Sequence, residues 1–184
     1  GGRSAWQESR RAYSRKKSMS EILRLIAGGL LALIMCYIGV LVKKRYKSRV
    51  AFFKSACEFS SSLATELGMK KTPMPEIANK FLKGREGEFE KVVESWIAIA
   101  KNATTFGFDD IKTSFLKTDE KKELAEFFSS LGKTNLDDQL SHVACYKNLF
   151  EQKRKTSEDE DKNLGGMYFK LCVLFGLAIL LILA

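Results

Sequence analysis

"DEKKELAEFFSSLGKTNLDDQ", Asp119 to Gln139, can be read in two ways that belong to different fold classes. Gly132, Lys133 and Thr134 match the last three letters of a phosphate-binding loop, which would follow a buried strand and open a helix. Such a loop also needs an earlier glycine where backbone and phosphate approach closely, and that position is Phe127. The residues ahead of the turn place Leu124, Phe127, Phe128 and Leu131 at i, i+3, i+4 and i+7, the spacing of one helix face. The stretch therefore reads as a helix stopped at Gly132, a polar turn in which Lys133 is solvated, and a new helix capped by Asn135.

The same period runs through the rest of the central region, which holds both prolines of the chain, Pro73 and Pro75, and no alternating apolar runs. A helix is predicted over Arg49–Leu67, with Phe52, Ala56, Phe59 and Leu63 on one stripe and Gly68 as its stop. A short helix follows with Pro75 and Glu76 in its first turn and Gly84 at its end. The next, from Glu88 to Ala103, buries Phe89, Val92, Val93, Trp96, Ile97 and Ala100. "FGFDDIKTSFL" reads as one helical turn between loops, and Thr118 is placed to cap the following helix ahead of Asp119 and Glu120. The last helix carries Leu136, Leu140, Val143 and Phe150 inward and continues into "EQKRKTSEDEDKN". That continuation is polar on every face, either a solvated helical stalk or a loosely ordered connector, with Glu158 to Asp161 as a solvated acidic run.

Two segments differ in character. "ILRLIAGGLLALIMCYIGVLV", Ile22 to Val42, has no charge from Leu25 onward and reaches roughly 30 Å as a helix, the thickness of a bilayer core. "MYFKLCVLFGLAILLILA", Met167 to Ala184, is apolar on all faces after Lys170, whose ammonium can reach the headgroups while its stem stays buried. The expected architecture is all-α: a small cytoplasmic helical bundle of five or six helices flanked by two transmembrane helices. Its parts are a basic tail over residues 1–18, a first span over 19–42, the helical domain over 43–152, the charged connector or stalk over 153–166 and a second span over 167–184.

Lys43, Lys44, Arg45, Lys47 and Arg49 follow the first span, and Lys153, Arg154, Lys155 and Lys162 precede the second; positive flanks on both sides favour a cytoplasmic central region. The first five, with Lys170, are read as anchors at the membrane surface. The tail carries six Lys and Arg and argues the other way, but Met19 stands directly before the apolar segment and is the expected native start. Without the tail the net charge falls from +9 by five, six basic residues minus Glu8, to +4, so the high pI is no sign of nucleic-acid binding.

Catalytic chemistry finds little support. Cys36, Cys57, Cys145 and Cys172 form no C-x-x-C pair, and His142 stands alone, so cysteines that pack as small hydrophobes and a structural, half-buried histidine are expected. Asp109-Asp110, Asp137-Asp138 and Glu86-x-Glu88 each fall at a predicted helix start, where carboxylates stabilise the dipole. A non-enzymatic interaction protein without metal, cofactor, nucleic acid or small-molecule substrate is the expectation.

From Met19 onward the order of features resembles the stage III sporulation protein AB family of endospore-forming bacteria. The resemblance rests on "KKRYKSR" after the first span, "TPMPEI", "KTDEKKELAEFFSSLGKTNLDDQLSH" and the closing "MYFKLCVLFGLAILLIL". The chain departs from the family pattern at Phe128, where Gly is common, at Asn135, where Asp is, and at Cys172 and Phe175, where small residues are usual; the last two are expected to work against tight packing of the final helix. The resemblance implies a structural component of the mother-cell complex at the membranes around the forespore, similar to secretion machinery. Its partner would be a cytoplasmic secretion-type ATPase, a stage III sporulation AA-like protein, with Asp137, Asp138 and Gln139, taken as exposed, as contact candidates. The alternatives are an unrelated membrane-tethered helical adaptor or sensor and, third, an undetected hydrolase acting through Lys133.

Overall fold

The computed structural model describes the backbone of residues 2–70, 72–102 and 104–183, and the side chains of these except residues 2–22, 24, 25, 70, 180 and 183. Ala103, the expected end of one helix, and the side chains of the tail lie outside the described residues. Among those described there is no strand. The elements are α1 (Gly2–Lys70), α2 (Met74–Leu82), α3 (Glu88–Lys101), a 3-10 turn at Phe108–Asp110, α4 (Thr118–Ser130), α5 (Leu136–Glu160), a π-helical stretch at Asp161–Gly165 and α6 (Gly166–Leu183). α1 does not begin anew at Arg49 as expected. Between Val42 and Arg49 there is neither Gly nor Pro, and Lys and Arg are good helix formers, so nothing interrupts the ladder. It also runs through Gly68 and stops at Lys70, shortly before Pro73, which disfavours helical backbone in the residue ahead of it.

The chain divides into two compact units. The first comprises residues 1–44 and 163–184. Two of the helices are long and apolar enough to cross a membrane, and their most apolar windows are only 11% buried, unlike the core helix of a soluble protein. Leu30, Leu33, Ile34, Leu174 and Leu181 are all exposed, large apolar side chains left uncovered on both helices. Within this unit α1 and α6 meet through small residues. A Cβ on Gly39 would stand 3.1 Å from Cβ of Cys172 and 3.3 Å from the Phe169 ring, and one on Gly176 would stand 3.4 Å from the Ala32 carbonyl oxygen. Tight packing of the last helix therefore survives Cys172 and Phe175: Cys172 faces a glycine, and Phe175 is 57% exposed and points away from the contact. Gly39→Cys should consequently form an intrachain disulfide with the native Cys172 when membranes are treated with copper phenanthroline, read as a mobility shift reversed by reductant. Gly29→Cys, with no neighbour within 4 Å, should give none.

The second unit, residues 45–162, holds the hydrophobic core. Phe52, Phe53, Ala56, Phe59, Leu63 and Leu67 line one face of α1, spaced as the period requires. They meet Ile77 and Phe81 of α2, Phe89, Val93 and Trp96 of α3, Leu124, Phe127 and Phe128 of α4, and Val143 and Phe150 of α5. Phe128 is the junction, with ring centroids 5.5 Å from Trp96, 5.4 Å from Phe106, 5.2 Å from Phe127 and 6.1 Å from both Phe59 and Phe89. Ala100, expected inside, is exposed. Positive φ is required at two turns, and both carry glycine: Gly84 at 71° after α2 and Gly132 at 81° after α4.

The polar continuation of α5 is helical and folded onto this unit. Ser157 is buried and donates to the Lys153 carbonyl at 2.7 Å, while the Lys153 ammonium reaches Glu123 of α4 at 3.0 Å. Arg154 bridges Glu151 and Glu158 along the helix, at 2.6 and 2.5 Å.

Candidate functional site

The 45–162 unit has two ends with different chemistry. At one, the chain's two exits from the unit are clasped together. Arg49 of α1 donates Nη2 to Glu120 of α4 and Nη1 to Glu160 of α5, each at 2.5 Å. Glu120 also accepts from the Lys117 amide at 2.9 Å, and Glu160 takes the Lys117 ammonium at 3.4 Å. Glu120 therefore caps α4 in place of Thr118, which is the first residue of that helix. Arg49 is only 7% exposed, so it is no surface anchor as its position in the basic run suggests. Its neighbours Lys43, Lys44, Arg45 and Lys47 are exposed, as is Lys170.

At the other end, about 20 Å away along the 13 residues of α4, lies the turn into α5. Asn135 caps α5 by accepting from the Asp138 amide at 2.8 Å. The Gln139 carboxamide oxygen, in the orientation that satisfies its neighbours, accepts from the amides of Gly132 at 2.6 Å and Lys133 at 3.1 Å. Gln139 is thus buried against the turn rather than exposed, whereas Asp137, Asp138 and Lys133 face solvent. This geometry removes the phosphate-loop reading: the turn amides that would hold a phosphate are taken, and Phe127 is sealed in the core. Beside the turn, Trp96, Phe106, Phe128, Leu131 and Lys133 border a hollow of about 250 Å³.

Ser130 and His142 are hydrogen-bonded, an arrangement that would suit a nucleophile and its base. The Phe127 carbonyl, 2.8 Å from the Ser130 hydroxyl, competes with the imidazole for its single proton. The ring is held by packing, near-parallel to Phe127 at 6.0 Å and 4.7 Å from Tyr146. His142 is half-buried. Burial, reinforced by Glu151, pushes the Cys57 thiol up to about 11, so at neutral pH it is a protonated, poorly nucleophilic group. Among the described residues no cluster of His, Cys, Asp and Glu could hold a metal ion.

Fold and ends together define a class: a small helical domain whose chain leaves it at one clasped end towards two helices apolar enough to cross a membrane, with an exposed charged turn at the other end. A family model described as stage III sporulation protein AB matches residues 24–184. The chain belongs to the stage III sporulation protein AB family. No curated protein and no solved structure matches it.

The clasp is what sequence reasoning missed, although a signal was present. Arg49 precedes Phe52 by three and Phe53 by four residues and so lies on the buried stripe of α1, while Lys47 lies off it.

Proposed function

We propose that this chain is a two-span membrane component of a secretion-like complex at the mother-cell membrane surrounding the forespore, with its helical domain in the cytoplasm. The domain docks a cytoplasmic secretion-type ATPase and relays its motion to membrane partners. What supports the reading is the division of labour within residues 45–162: α1 and α5 are tied together by Arg49 where they leave the unit, and the charged turn stands free at the opposite end of α4. The exposed Asp137 and Asp138 at the start of α5 offer a carboxylate pair, and the hollow bordered by Trp96, Phe106 and Lys133 offers a recess, to a basic, aromatic-bearing surface.

Calorimetric titration of the full chain in nanodiscs with the purified AA-like ATPase tests it. Binding is expected, and Asp137→Lys combined with Asp138→Lys should weaken it at least about tenfold, roughly 1.4 kcal/mol. Absence of binding by the unaltered chain in both the ATP-analogue and ADP states would overturn the proposal.

A further inference from the structure

Asp110 and Glu120 each stand third in their helix and close back on the amide ahead of it. Asp110 accepts from Gly107 at 2.8 Å and Glu120 from Lys117 at 2.9 Å. Glu90 holds the same position in α3 and folds back over Gly87, yet no amide of the first turn donates to it, and no described residue forms an ion pair with it. Glu90 is only 6% exposed. The dipole of α3 favours its charge, but a carboxylate so far from water ordinarily has a donor as well.

Glu90 borders a hollow of about 240 Å³ together with Ser48 and Ser55 of α1 and with Glu86, Gly87 and Glu88. The rest of its wall is apolar, from Ala51, Phe52 and Phe89. No Lys or Arg borders it. Glu88 is paired with Lys91 at 2.6 Å, but Glu86 is exposed and, like the Ser48 and Ser55 hydroxyls, has no partner among the described residues. Gly87 leaves the room that the Glu90 carboxylate occupies. The backbone there is extended, with φ 179°, which any residue adopts, but a Cβ would collide with the carboxylate oxygen.

Unpaired negative charge in a recess selects a cation. The carboxylates do not converge on a metal position, and the hollow is several times the roughly 30 Å³ share of one water, too large for a bare ion. We propose that it binds a small aliphatic polyamine. One primary ammonium meets Glu90 and turns its remaining N–H donors towards the Ser48 and Ser55 hydroxyls. The methylene stem lies on the apolar wall, and a second ammonium reaches Glu86 at the exposed rim. The proposal is independent of the ATPase reading.

Calorimetric titration of the full chain in phosphatidylcholine nanodiscs at fixed salt, with empty discs as the blank, should show saturable binding of putrescine with a Kd below about 1 mM. Glu90→Gln and Gly87→Ala, each shown to be folded by unchanged circular dichroism, should each weaken it at least about tenfold. Glu86→Gln should bring putrescine down to the affinity of butylamine, which has a single ammonium. Absence of saturable binding, or binding that Glu90→Gln and Gly87→Ala leave unchanged, would overturn the proposal. Magnesium chloride binding in place of putrescine, with the same dependence on Glu90, would overturn it in favour of a metal site.

Discussion

Arg49→Ala is expected to cost the folded chain about 3–5 kcal/mol, the penalty for leaving a buried charge without its partner. Truncation strands the Glu120 carboxylate, which is almost completely buried, and removes one of the ligands of Glu160. It also frees the end of α5 from α1. Denaturant titration of the full chain in detergent should show a lower midpoint. Exchange protection should be lost first over residues 153–162, before the aromatic core opens. Replacing Arg49 and Glu120 together by methionine should recover most of the loss, because two well-packed apolar side chains can match a desolvated ion pair. A clasp that contributed only surface electrostatics would behave otherwise: the single substitution would cost less than about 1 kcal/mol and salt would mimic it.

Phe128→Ala should be as damaging, about 3–5 kcal/mol, since it removes a fully buried ring and leaves a cavity at the centre of the core. Phe128 touches rings from α1, α3, α4 and the loop at Phe106, so no single neighbour can collapse into the space. Phe128→Gly should add about 1 kcal/mol through helix propensity alone. The hollow beside Trp96 and Phe106 would open towards the cavity, so the alanine variant should bind small apolar probes that the unaltered chain excludes. Arg49 and Phe128 share no partner and lie near opposite ends of α4, so their effects should add within about 0.5 kcal/mol. The same denaturant titrations of both single variants and the double variant measure this.

The two substitutions also mark how far the sequence could be read. Leu124, Phe127, Phe128 and Leu131 announced a buried helical face by spacing alone, and all four are buried. The cap at Asn135 and the stop at Gly132 follow from local chemistry, the side-chain acceptor in one case and freedom at positive φ in the other, and both stand in the structure. What local patterns do not carry is partnership across the chain. Arg49 stands in a run of cations whose other members are solvated, and its burial depends on Glu120 and Glu160, 71 and 111 residues away. Gln139 sits beside two exposed carboxylates, yet it shares a stripe with Val143, Tyr146 and Phe150, and it turns inward, where its carboxamide oxygen accepts from the amides of Gly132 and Lys133. Ser157, two turns further along that face, is buried, and with the ion pairs of Lys153 and Glu160 it holds "EQKRKTSEDEDKN" against the unit although the stretch looks uniformly polar.

Membership of the stage III sporulation protein AB family agrees with this architecture, and the departures from its pattern have local explanations. Asn135 caps as aspartate would. Cys172 is accommodated because Gly39 gives it room, and Phe175 because it faces away from the paired helix.

The claim on which the functional reading turns is that the exposed turn before α5 meets the ATPase. A photo-crosslinking amino acid placed at Lys133, Asp137 or Asp138 in sporulating cells, with Asn79 on α2 as a comparison, tests it directly. An adduct with the AA-like ATPase is expected from the turn positions and none from Asn79. Turn positions that give no ATPase adduct, in cells where the chain is present at its normal level, would contradict it.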